Sequence, residues 1–499
     1  MGESDRYAEQ DIRVGLTSPA WEASVLPMHQ SCIKNSSYYT TQLPICDKQT
    51  TVDFLCACDI ISGMSEKLNL QPLSGMPEWP PAAQLIFERW KQTVRESYGL
   101  FGYTPLETPT IERAEVLMAK AGASTGKQIY RFAKGETQLA LRFDLTVPLA
   151  RFVALHQNEL AFPFRRQAIG PVFRGERAQM GRFREFYQAD ADIIGRGSLS
   201  SSADAEILAL AAQTVKRLEL GSFQLQISNR KIVMGFLSAL KVMDQKAIIQ
   251  LLDDADKIGP KKLQEELRLL RLDTFEIRKI TKFAQIHGNF HQVSQLLLRL
   301  DVDNALFNEG LEELHRLSQH LEALRLDPAE YQFNMGIIRG LDYYTGMIYE
   351  TILLDHVSLG SICSGGRYDN LVGNYGKTKM PGVGCSIGLT RLLAQALAAG
   401  LVSLEQKTIS QVVVVPLTAQ LDHLHDIVNA LRQSGIATEV YLEAGGMKKA
   451  LKHAADLGVA YALIIGDDEL AQKKLSLKNL VTGAQESLNL AQVINTLQS

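Results

Sequence analysis

The sequence lacks the features that would assign it to several common classes of protein. No run of about 18 uninterrupted apolar residues is present, so no membrane-spanning helix is predicted. The formal net charge is only −3, so any contact with nucleic acid must rely on local basic patches. The chain contains neither a P-loop nor a dinucleotide-binding glycine fingerprint after a strand. A nucleotide site in this protein must therefore be of another kind.

Cysteine is also scarce, with six residues in a chain of 499. The six are Cys32, Cys46, Cys56, Cys58, Cys363 and Cys385. Their spacing matches neither a zinc site nor a disulfide framework. We therefore predict free thiols in a reducing compartment, the cytoplasm, and no metal site built from protein side chains.

Residues 1–63 differ from the rest of the chain. They show no clear periodicity and contain four basic and eight acidic residues, whereas a mitochondrial transit peptide is rich in arginine and poor in acids. The apolar core of a secretory signal is not evident either. Two interpretations stay open: an extension without stable structure, or a stretch that precedes a translation start at Met64.

The remaining chain predicts several globular domains. Apolar residues make up 46% and charged residues 21%, and 499 residues exceed what one hydrophobic core organises. The first predicted helix starts at Pro81, where a missing N–H costs nothing, and carries an apolar stripe of Ile86, Trp90 and Val94. The extended segment 103–110 follows, and its two prolines confine it to a sheet edge or an interface.

Residues 137–195 change to a period of two, which predicts strands. The segment 137–146 would place its leucines and Phe143 on one face, and Arg142, Asp144 and Thr146 on the other. Two further strands, joined by a polar, glycine-containing loop, predict an antiparallel hairpin. One face of its second strand carries Arg184, Phe186, Gln188, Asp190 and Asp192.

The hairpin carries candidate groups for binding an anion. Arg174 and Glu176 lie two residues apart and face the same side, and Arg182 follows across the loop. A guanidinium binds a phosphate through two parallel hydrogen bonds and keeps its charge at all working pH values. Phe186 among polar neighbours could stack on a purine base. A surface salt bridge between Arg174 and Glu176 and partial core packing of Phe186 are the alternatives.

Carboxylates and tyrosines form a second set of candidates. Asp144, Asp190 and Asp192 lie on faces that could converge, where they would suit an ammonium group, an imidazole N–H or a divalent metal. Solvated strand faces and ordinary core packing are the alternatives. Two tyrosine-containing stretches, "RGLDYYTG" and "SGGRYD", add Arg339, Tyr343, Tyr344, Arg367 and Tyr368, and Arg391 opens a later helix.

The rest of the chain predicts a helical insertion and a separate tail. Residues 225–330 show helical periodicity, and strand character returns at 331–335, 348–354 and 361–363. After a linker near 401–410, "QVVVVPL" is typical of a buried parallel strand. Alternation of strands and helices then predicts a small α/β domain. The residues alone thus indicate a cleft that would suit a nucleotide phosphate and a small zwitterion.

Taken together, these segments resemble the class II aminoacyl-tRNA synthetases, and among them the histidyl-tRNA synthetase family, from about Leu70 to the C-terminus. "GYTPLETPTIE", with Pro109, looks like motif 1, which the family uses at its dimer interface. "FRGERAQMGRFREFYQADADIIG" looks like motif 2 and "GVGCSIGLTRLL" like motif 3. "RGLDYYTG" and "SGGRYD" look like the two histidine-specific signatures, and the tail is similar to the anticodon-binding domain.

The resemblance implies an α+β fold with a class II antiparallel catalytic sheet. The catalytic domain would comprise 70–224 and 331–400, with a helical insertion at 225–330. A small α/β anticodon-binding domain would follow at 408–499. It also implies ATP-dependent ligation of L-histidine to tRNA(His), with Mg²⁺ bound mainly through the ATP phosphates, and a homodimer.

The resemblance also assigns roles to individual residues. Arg174 and Arg339 would be catalytic, with Arg339 at the α-phosphate. The residues that would bind ATP are Arg174, Glu176, Arg182, Phe186 and Arg391. The residues that would bind histidine are Asp144, Thr146, Arg142, Gln188, Asp192, Arg339, Tyr343, Tyr344 and Tyr368.

Three features depart from the family pattern. Thr390 stands where an acid commonly precedes the motif 3 arginine, Asp144 and Asp192 are both Asp rather than Glu, and residues 1–63 match nothing in the family. Three rival functions follow from the same likeness: a non-catalytic regulatory subunit, an amino-acid sensor or RNA-binding module, and a synthetase for another amino acid. The presence of the tail and of the arginines speaks against the first. The tyrosine-rich signature, whose polar aromatic lining suits an imidazole, speaks against the third.

Overall fold

The computed structural model describes residues 69–119, 123–177, 181–253, 255–338, 343–443 and 446–499. The predicted extension 1–63 lies outside these residues. The chain divides into Met1–Asn69 and Leu70–Ser499, and every helix and strand described lies in the second unit. Among the described residues, no helix combines the length and apolar character needed to cross a membrane.

A nine-stranded sheet forms the centre of the protein, in the order β1-β5-β6-β12-β11-β10-β7-β9-β8. Its strands are β1 (Thr104–Pro105), β5 (Phe164–Phe173), β6 (Glu185–Ile194), β7 (Phe223–Asn229), β8 (His287–Gly288), β9 (Tyr331–Asn334), β10 (Met347–Leu353), β11 (Cys363–Tyr368) and β12 (Gly382–Gly388). Along the sheet, every neighbouring pair of the strands β5, β6, β12, β11, β10 and β7 is antiparallel, as predicted for the catalytic sheet. A second, three-stranded sheet is formed by β2 (Ile111–Arg113), β4 (Thr137–Leu141) and β3 (Arg131–Lys134), in that order.

Helix α1 (Pro81–Leu100) confirms the predicted apolar stripe. Pro81 occupies the first turn, and Ile86, Trp90 and Val94 are buried in the main core. The helix packs on α5 (Ser202–Arg217) and α12 (Leu389–Ala398), which cover the same side of the sheet. The chain then turns through Gly102, whose φ of 78° lies in the left-handed region, into the short edge strand β1.

The segment 137–146 differs from its prediction as a single strand. Strand β4 ends at Leu141, and Thr146 begins helix α4 (Thr146–His156). Two features favour the helix: the Asp144 carboxylate accepts a hydrogen bond of 2.8 Å from the Val147 N–H, and Pro148 fits the first turn. The apolar alternation that suggested a strand therefore extends to Phe143, two residues beyond the point where the strand ends. Two short helices, α2 (Ala114–Met118) and α3 (Ala123–Gln128), precede this region.

The helical insertion starts slightly later than its prediction. Residues 225–229 belong to β7, in the middle of the main sheet, so the helices begin at Arg230. They are α6 (Arg230–Ala239), α7 (Gln245–Asp253), α8 (Ala255–Leu269), α9 (Thr274–Ala284), α10 (Phe290–Leu298) and α11 (Ala305–Ala323). Apart from the two-residue edge strand β8, the chain returns to the sheet at Tyr331, as the pattern predicts.

The C-terminal residues form a separate five-stranded sheet in the order β14-β13-β15-β16-β17. Its strands are β13 (Val412–Leu417), β14 (Thr438–Val440), β15 (Tyr461–Gly466), β16 (Leu475–Asn479) and β17 (Gln485–Leu488). Its helices are α13 (Leu421–Gln433), α14 (Gly446–Asp456), α15 (Asp467–Gln472) and α16 (Leu490–Gln498). The valine run is a buried, central parallel strand, as predicted. The β16–β17 hairpin before the last helix was not predicted.

Candidate active site

A cleft with a volume of about 450 Å³ lies over the centre of the nine-stranded sheet. Strands from distant parts of the chain supply its floor, because β6 is paired with β12 and β12 with β11. The predicted residues that line it are Asp144, Thr146, Arg174, Glu176, Arg182, Phe186, Gln188, Asp192, Tyr343, Tyr344, Tyr368 and Arg391. Its size and its convergent polar groups are those of a small-molecule site.

The floor of the cleft follows from the strand register. Asp190 is paired with Ser386, Ser386 with Ser364, and Ser364 with Glu350, so one row of polar side chains crosses four strands. Phe186, Gln188, Asp190 and Asp192 all line the cleft, as alternate residues of β6 should, whereas Arg184 precedes the strand and is not among the lining residues. On β12 the positions opposite Asp192 and Gln188 are glycines, which leave room above the sheet.

Two carboxyl groups on this floor, those of Asp190 and Asp192, have pKa values well above the usual range. Burial, and then the charge of Asp192, raise the pKa of Asp190 to about 7. Burial raises the pKa of Asp192 to about 6, although the charge of Arg166 and a hydrogen bond from Tyr368 oppose the shift. Burial also raises the pKa of Asp144. A cationic ligand would stabilise the ionised forms of all three groups.

The three tyrosines form one aromatic wall. The ring of Tyr343 lies 4.9 Å from that of Tyr344 and 5.8 Å from that of Tyr368, both edge-on. The Tyr368 hydroxyl donates a hydrogen bond of 2.7 Å to Asp192 Oδ1. Burial raises the pKa of all three hydroxyls, so they remain protonated donors at working pH. Such a wall suits a flat, polar ring.

Arginines occupy the other part of the cleft. The Arg174 guanidinium is held between two rings, 4.4 Å from the centre of Phe143 and 5.0 Å from that of Phe186. Its Nε donates a hydrogen bond of 3.3 Å to the Phe143 carbonyl. Burial lowers its pKa, but an arginine remains a cation under these conditions. Arg391 donates to the Leu359 carbonyl at 3.2 Å, so both guanidiniums are anchored by backbone oxygens.

The alternative of a surface salt bridge between Arg174 and Glu176 does not describe this region. Glu176 instead faces Arg182, with an N–O distance of 3.8 Å. The Arg182 side chain is half exposed, so this pair contributes little to stability. All three residues line the cleft.

The Arg142 side chain is not among the residues that line the cleft; its guanidinium donates hydrogen bonds of 2.7 Å to the carbonyls of Thr108 and Pro171. These bonds join the segment after α1 to strand β5, so the placement of Arg142 beside histidine or phosphate does not agree with its contacts here. Arg339 lies outside the described residues.

Several residues of the cleft carried little or no signal in the sequence. Asp190 stood on the predicted face, but its role was not separated from that of its neighbours. Asp253, at the end of α7, reaches the cleft from the helical insertion, and Glu350 reaches it from β10. Arg166 is fully buried and pairs with Asp192 at 3.5 Å. Only long-range packing brings these groups together.

Thr390 also has a definite structural place. It is buried at the start of α12, and its hydroxyl accepts a hydrogen bond of 2.8 Å from the backbone N–H of Tyr187. This bond joins the motif 3 helix to the motif 2 strand. Among the described residues, no group of three or more histidine, cysteine, aspartate or glutamate side chains could hold a metal ion.

The Asp190→Asn variant should be more stable than the natural protein at alkaline pH. Because the pKa of Asp190 rises from 3.8 to about 7 on folding, the folded state binds this proton more tightly than the unfolded chain does. Ionisation of Asp190 therefore lowers the free energy of unfolding as the pH rises from about 4 to about 7. The neutral amide of asparagine does not ionise, so the variant avoids this loss. We expect the melting temperature to rise by about 2 °C at pH 8 and by less at pH 5. Equal gains at both pH values would contradict the assigned cause.

The antiparallel sheet and its arginine- and carboxylate-lined cleft define the catalytic domain of a class II aminoacyl-tRNA synthetase. A family model described as histidyl-tRNA synthetase matches residues 75–392, and one described as anticodon binding domain matches residues 411–499. The chain belongs to the histidyl-tRNA synthetase family.

Individual relatives agree with this membership over nearly their whole length. The histidine–tRNA ligase of Clostridium tetani is 46% identical over 428 residues, which cover 86% of this chain and 98% of that protein. That of Finegoldia magna is 41% identical over 431 residues, covering 86% and 100%. The crystal structure of histidyl-tRNA synthetase from a Nostoc species superposes with a TM-score of 0.79 at 38% identity, covering 87% and 99%.

Proposed function

We propose that this protein ligates L-histidine to tRNA(His) through a histidyl-adenylate, with release of pyrophosphate and AMP. The observation that carries the proposal is the joint position of Arg174 and Arg391 with a carboxylate- and tyrosine-lined pocket in one cleft. Membership of the histidyl-tRNA synthetase family supports the choice of amino acid. The regulatory-subunit and sensor alternatives have no comparable support.

The proposed ATP site comprises the arginine part of the cleft. Arg174 would hold the α-phosphate and Arg391 the γ-phosphate, while Glu176 and Arg182 flank the base and phosphates. Phe186 would offer its ring to adenine, although Arg174 already covers part of that ring. Arg339 is assigned to the α-phosphate by resemblance alone.

The proposed histidine site comprises the acidic part of the cleft. Asp144, Thr146, Gln188 and Asp192 would bind the α-ammonium side of the substrate. The side chains of Tyr343, Tyr344 and Tyr368 would line the imidazole pocket. The contacts of Arg142 support only an indirect role, through the position of β5.

The reaction needs no covalent nucleophile from the protein. The carboxylate of histidine attacks the α-phosphate in line, pyrophosphate leaves from the opposite side, and the protein holds the two reactants close together. Fixed guanidiniums stabilise the negative charge that develops on the phosphate oxygens. The terminal adenosine hydroxyl of the tRNA then attacks the acyl carbon, and AMP leaves.

Magnesium ions, when present, would neutralise phosphate charge. We propose that Mg²⁺ binds mainly through the ATP phosphates, with few protein ligands. Glu350 and Asp253 are the further carboxylates available in the cleft.

The remaining assignments concern the whole molecule. We propose that residues 70–224 and 331–400 form the catalytic domain and that residues 225–330 form the insertion. Within the latter range, residues 225–229 complete strand β7, and the helices start at Arg230. Residues 408–499 would bind the anticodon. The match of residues 411–499 to an anticodon binding domain supports the last of these. A homodimer formed through motif 1 and a cytoplasmic location are further parts of this proposal.

Amino-acid-dependent exchange of pyrophosphate into ATP tests the proposed function. Histidine should support exchange, and the other nineteen amino acids, assayed in parallel, should not. Charging of tRNA(His), with an unrelated tRNA as control, tests the second step. Histidine binding without any exchange would favour the sensor alternative, and exchange with another amino acid would overturn the substrate.

The Gly384→Ala variant should bind histidine poorly but retain its affinity for ATP. A methyl group at this position would overlap Asp192 Oδ1 and lie 2.9 Å from the Ala191 carbonyl oxygen. Asp192 would have to move and release the Tyr368 hydroxyl. A displacement of about 1 Å can cost roughly 100-fold, so we expect a loss of that order in kcat/KM for histidine. An unchanged histidine KM would contradict the role of Asp192.

A further inference from the structure

The aromatic wall of the cleft is held by a hydrogen bond that lies outside the cleft. Tyr343 and Tyr344 line the cleft, whereas the next residue, Thr345, is not among the lining residues. The Thr345 hydroxyl donates a hydrogen bond of 2.6 Å to Oδ2 of Asp369. Asp369 directly follows Tyr368, the third ring of the wall. This bond therefore joins the two segments that carry the three rings.

Further hydrogen bonds hold the same two segments in register. The Asp369 backbone N–H donates to the Thr345 hydroxyl at 3.1 Å, so this oxygen both donates and accepts. The Thr345 backbone N–H donates to the Arg367 carbonyl at 2.8 Å. A valine at position 345 would keep the bond from the backbone and lose the two made by the hydroxyl. The contribution of the hydroxyl can therefore be measured separately from the backbone pairing.

The acceptor of the Thr345 hydroxyl is a charged group that is itself held in place. The other oxygen of Asp369, Oδ1, lies 3.6 Å from Nη1 of Arg367. A hydroxyl 2.6 Å from a carboxylate oxygen has the short length of a charge-assisted hydrogen bond. The Arg367 carbonyl is a poorer alternative, because it lies 3.4 Å from the same hydroxyl. Bonds to charged groups contribute more than those between neutral groups, so this contact is a strong one.

The rings depend on this register because two of them lie against glycines of the sheet. A methyl group added at Gly366 would lie 2.9 Å from Cδ1 of Tyr344, and one added at Gly382 would overlap the ring of Tyr368. The Tyr343 ring in turn contacts both of the other rings edge-on. A shift of the tyrosine segment along β11 would therefore separate Tyr344 from Gly366 and open the wall.

The chain that follows Thr345 is fixed by other contacts. The Arg230 backbone N–H donates to the Gly346 carbonyl at 2.9 Å. Strand β10 begins at Met347, which is paired with Asn229 of β7. Loss of the Thr345 hydroxyl should therefore leave β10 in the sheet and affect the tyrosine segment before it.

We propose that Thr345 is a positioning residue for histidine binding, whose hydroxyl, held by Asp369, keeps Tyr343 and Tyr344 in register with Tyr368. This inference rests on the proposed function and adds to it two residues that do not line the cleft. Histidine would meet a wall already in its binding geometry, so less of its binding free energy is offset by ordering the segment. The arginine part of the cleft is anchored by other carbonyls, so ATP binding should not depend on Thr345.

The variant Thr345→Val tests this inference in the full chain, because valine keeps the branched shape and loses the hydroxyl. The Kd for histidine, measured by isothermal titration calorimetry without ATP, should rise by about 10- to 30-fold, since a hydrogen bond to a charged group is lost. The KM for ATP in the exchange assay, at saturating histidine, should stay within about twofold of the natural value. Thr345→Ser keeps the hydroxyl and should bind histidine within about threefold of the natural protein.

Two controls make the result specific. Thr281→Val is the matched control: it removes a hydroxyl that donates to the Ile277 carbonyl at 2.8 Å within α9, and it should change neither constant. A double-mutant cycle with Asp369→Ala tests whether the two residues act through one bond. When position 369 is already alanine, Thr345→Val should weaken histidine binding no further. If Thr345→Val does not fold, Thr345→Ala takes its place.

Three results would overturn the inference: a Kd of Thr345→Val for histidine within threefold of the natural value, equal losses for histidine and ATP, or effects of the two substitutions that multiply. A role in folding alone would lower the melting temperature and the active fraction without raising the Kd for histidine. Failure of the natural protein to bind histidine would overturn the proposed function, and this inference with it. A failed prediction for Thr345→Val alone leaves the proposed function standing.

Discussion

Replacement of Arg174 by alanine should lower histidine-dependent pyrophosphate exchange by about 100- to 1000-fold, the usual effect of removing one fixed group that stabilises transition-state charge. Arg174 is held by the rings of Phe143 and Phe186 and by a backbone carbonyl. Little reorganisation is therefore needed when charge develops on the α-phosphate. The measurement is the rate of exchange at saturating ATP and histidine.

The control variants for Arg174 separate position from charge. Arg174→Lys keeps a cation but loses the planar fork, so it should recover only part of the rate. Arg165→Ala removes an arginine of the same sheet that pairs with Glu206 outside the cleft, and should leave exchange nearly unchanged. Exchange within threefold of the natural rate in Arg174→Ala would remove this residue from the mechanism.

Replacement of Arg367 by methionine should destabilise the fold by about 3 to 5 kcal/mol, because it leaves a buried carboxylate without its partner. Arg367 and Asp204 are both buried, and the Arg367 Nε lies 3.0 and 3.1 Å from the two Asp204 oxygens. The same guanidinium donates to the carbonyls of Leu199 and Ser200. It thereby ties strand β11 to the N-terminus of α5.

Thermal unfolding at two pH values measures this effect. Burial raises the pKa of Asp204 to about 6 even with Arg367 present. Without the arginine this carboxyl would be protonated more readily, so the Arg367→Met variant should lose less stability at pH 5 than at pH 8. The double variant with Asp204→Asn should be more stable than Arg367→Met alone. A single variant as stable as the natural protein would show that the pair is not needed.

The face of β6 was predictable from the sequence because it depends on local geometry alone. Side chains in a strand alternate, so Phe186, Gln188, Asp190 and Asp192 had to share one side wherever the strand came to lie. The apolar stripe of α1 was predictable for the same reason, with a period of about 3.6 residues. The motifs were recognisable because their residue types and order are local features as well.

The segment 142–146 shows where local periodicity fails. Its alternation suggested a strand, but Asp144 and Thr146 enter the cleft from a loop and from the first turn of α4. The hydrogen bond from Val147 to Asp144 and the tolerance of a helix start for Pro148 decide the structure there. Arg142 was predicted to share a face with Asp144 and Thr146, but it does not line the cleft, and its guanidinium donates hydrogen bonds to the carbonyls of Thr108 and Pro171.

By itself, the sequence determined the face of each regular element, the order of the motifs and the separate tail domain, because these depend on neighbours along the chain. Only the tertiary structure decided which faces meet. The pairing of β6 with β12 places Asp190 beside Ser386 and Asp192 opposite Gly384, and packing of the insertion brings Asp253 to the same cleft. Contacts between segments so far apart in the chain arise from strand register and core packing, which no local pattern specifies.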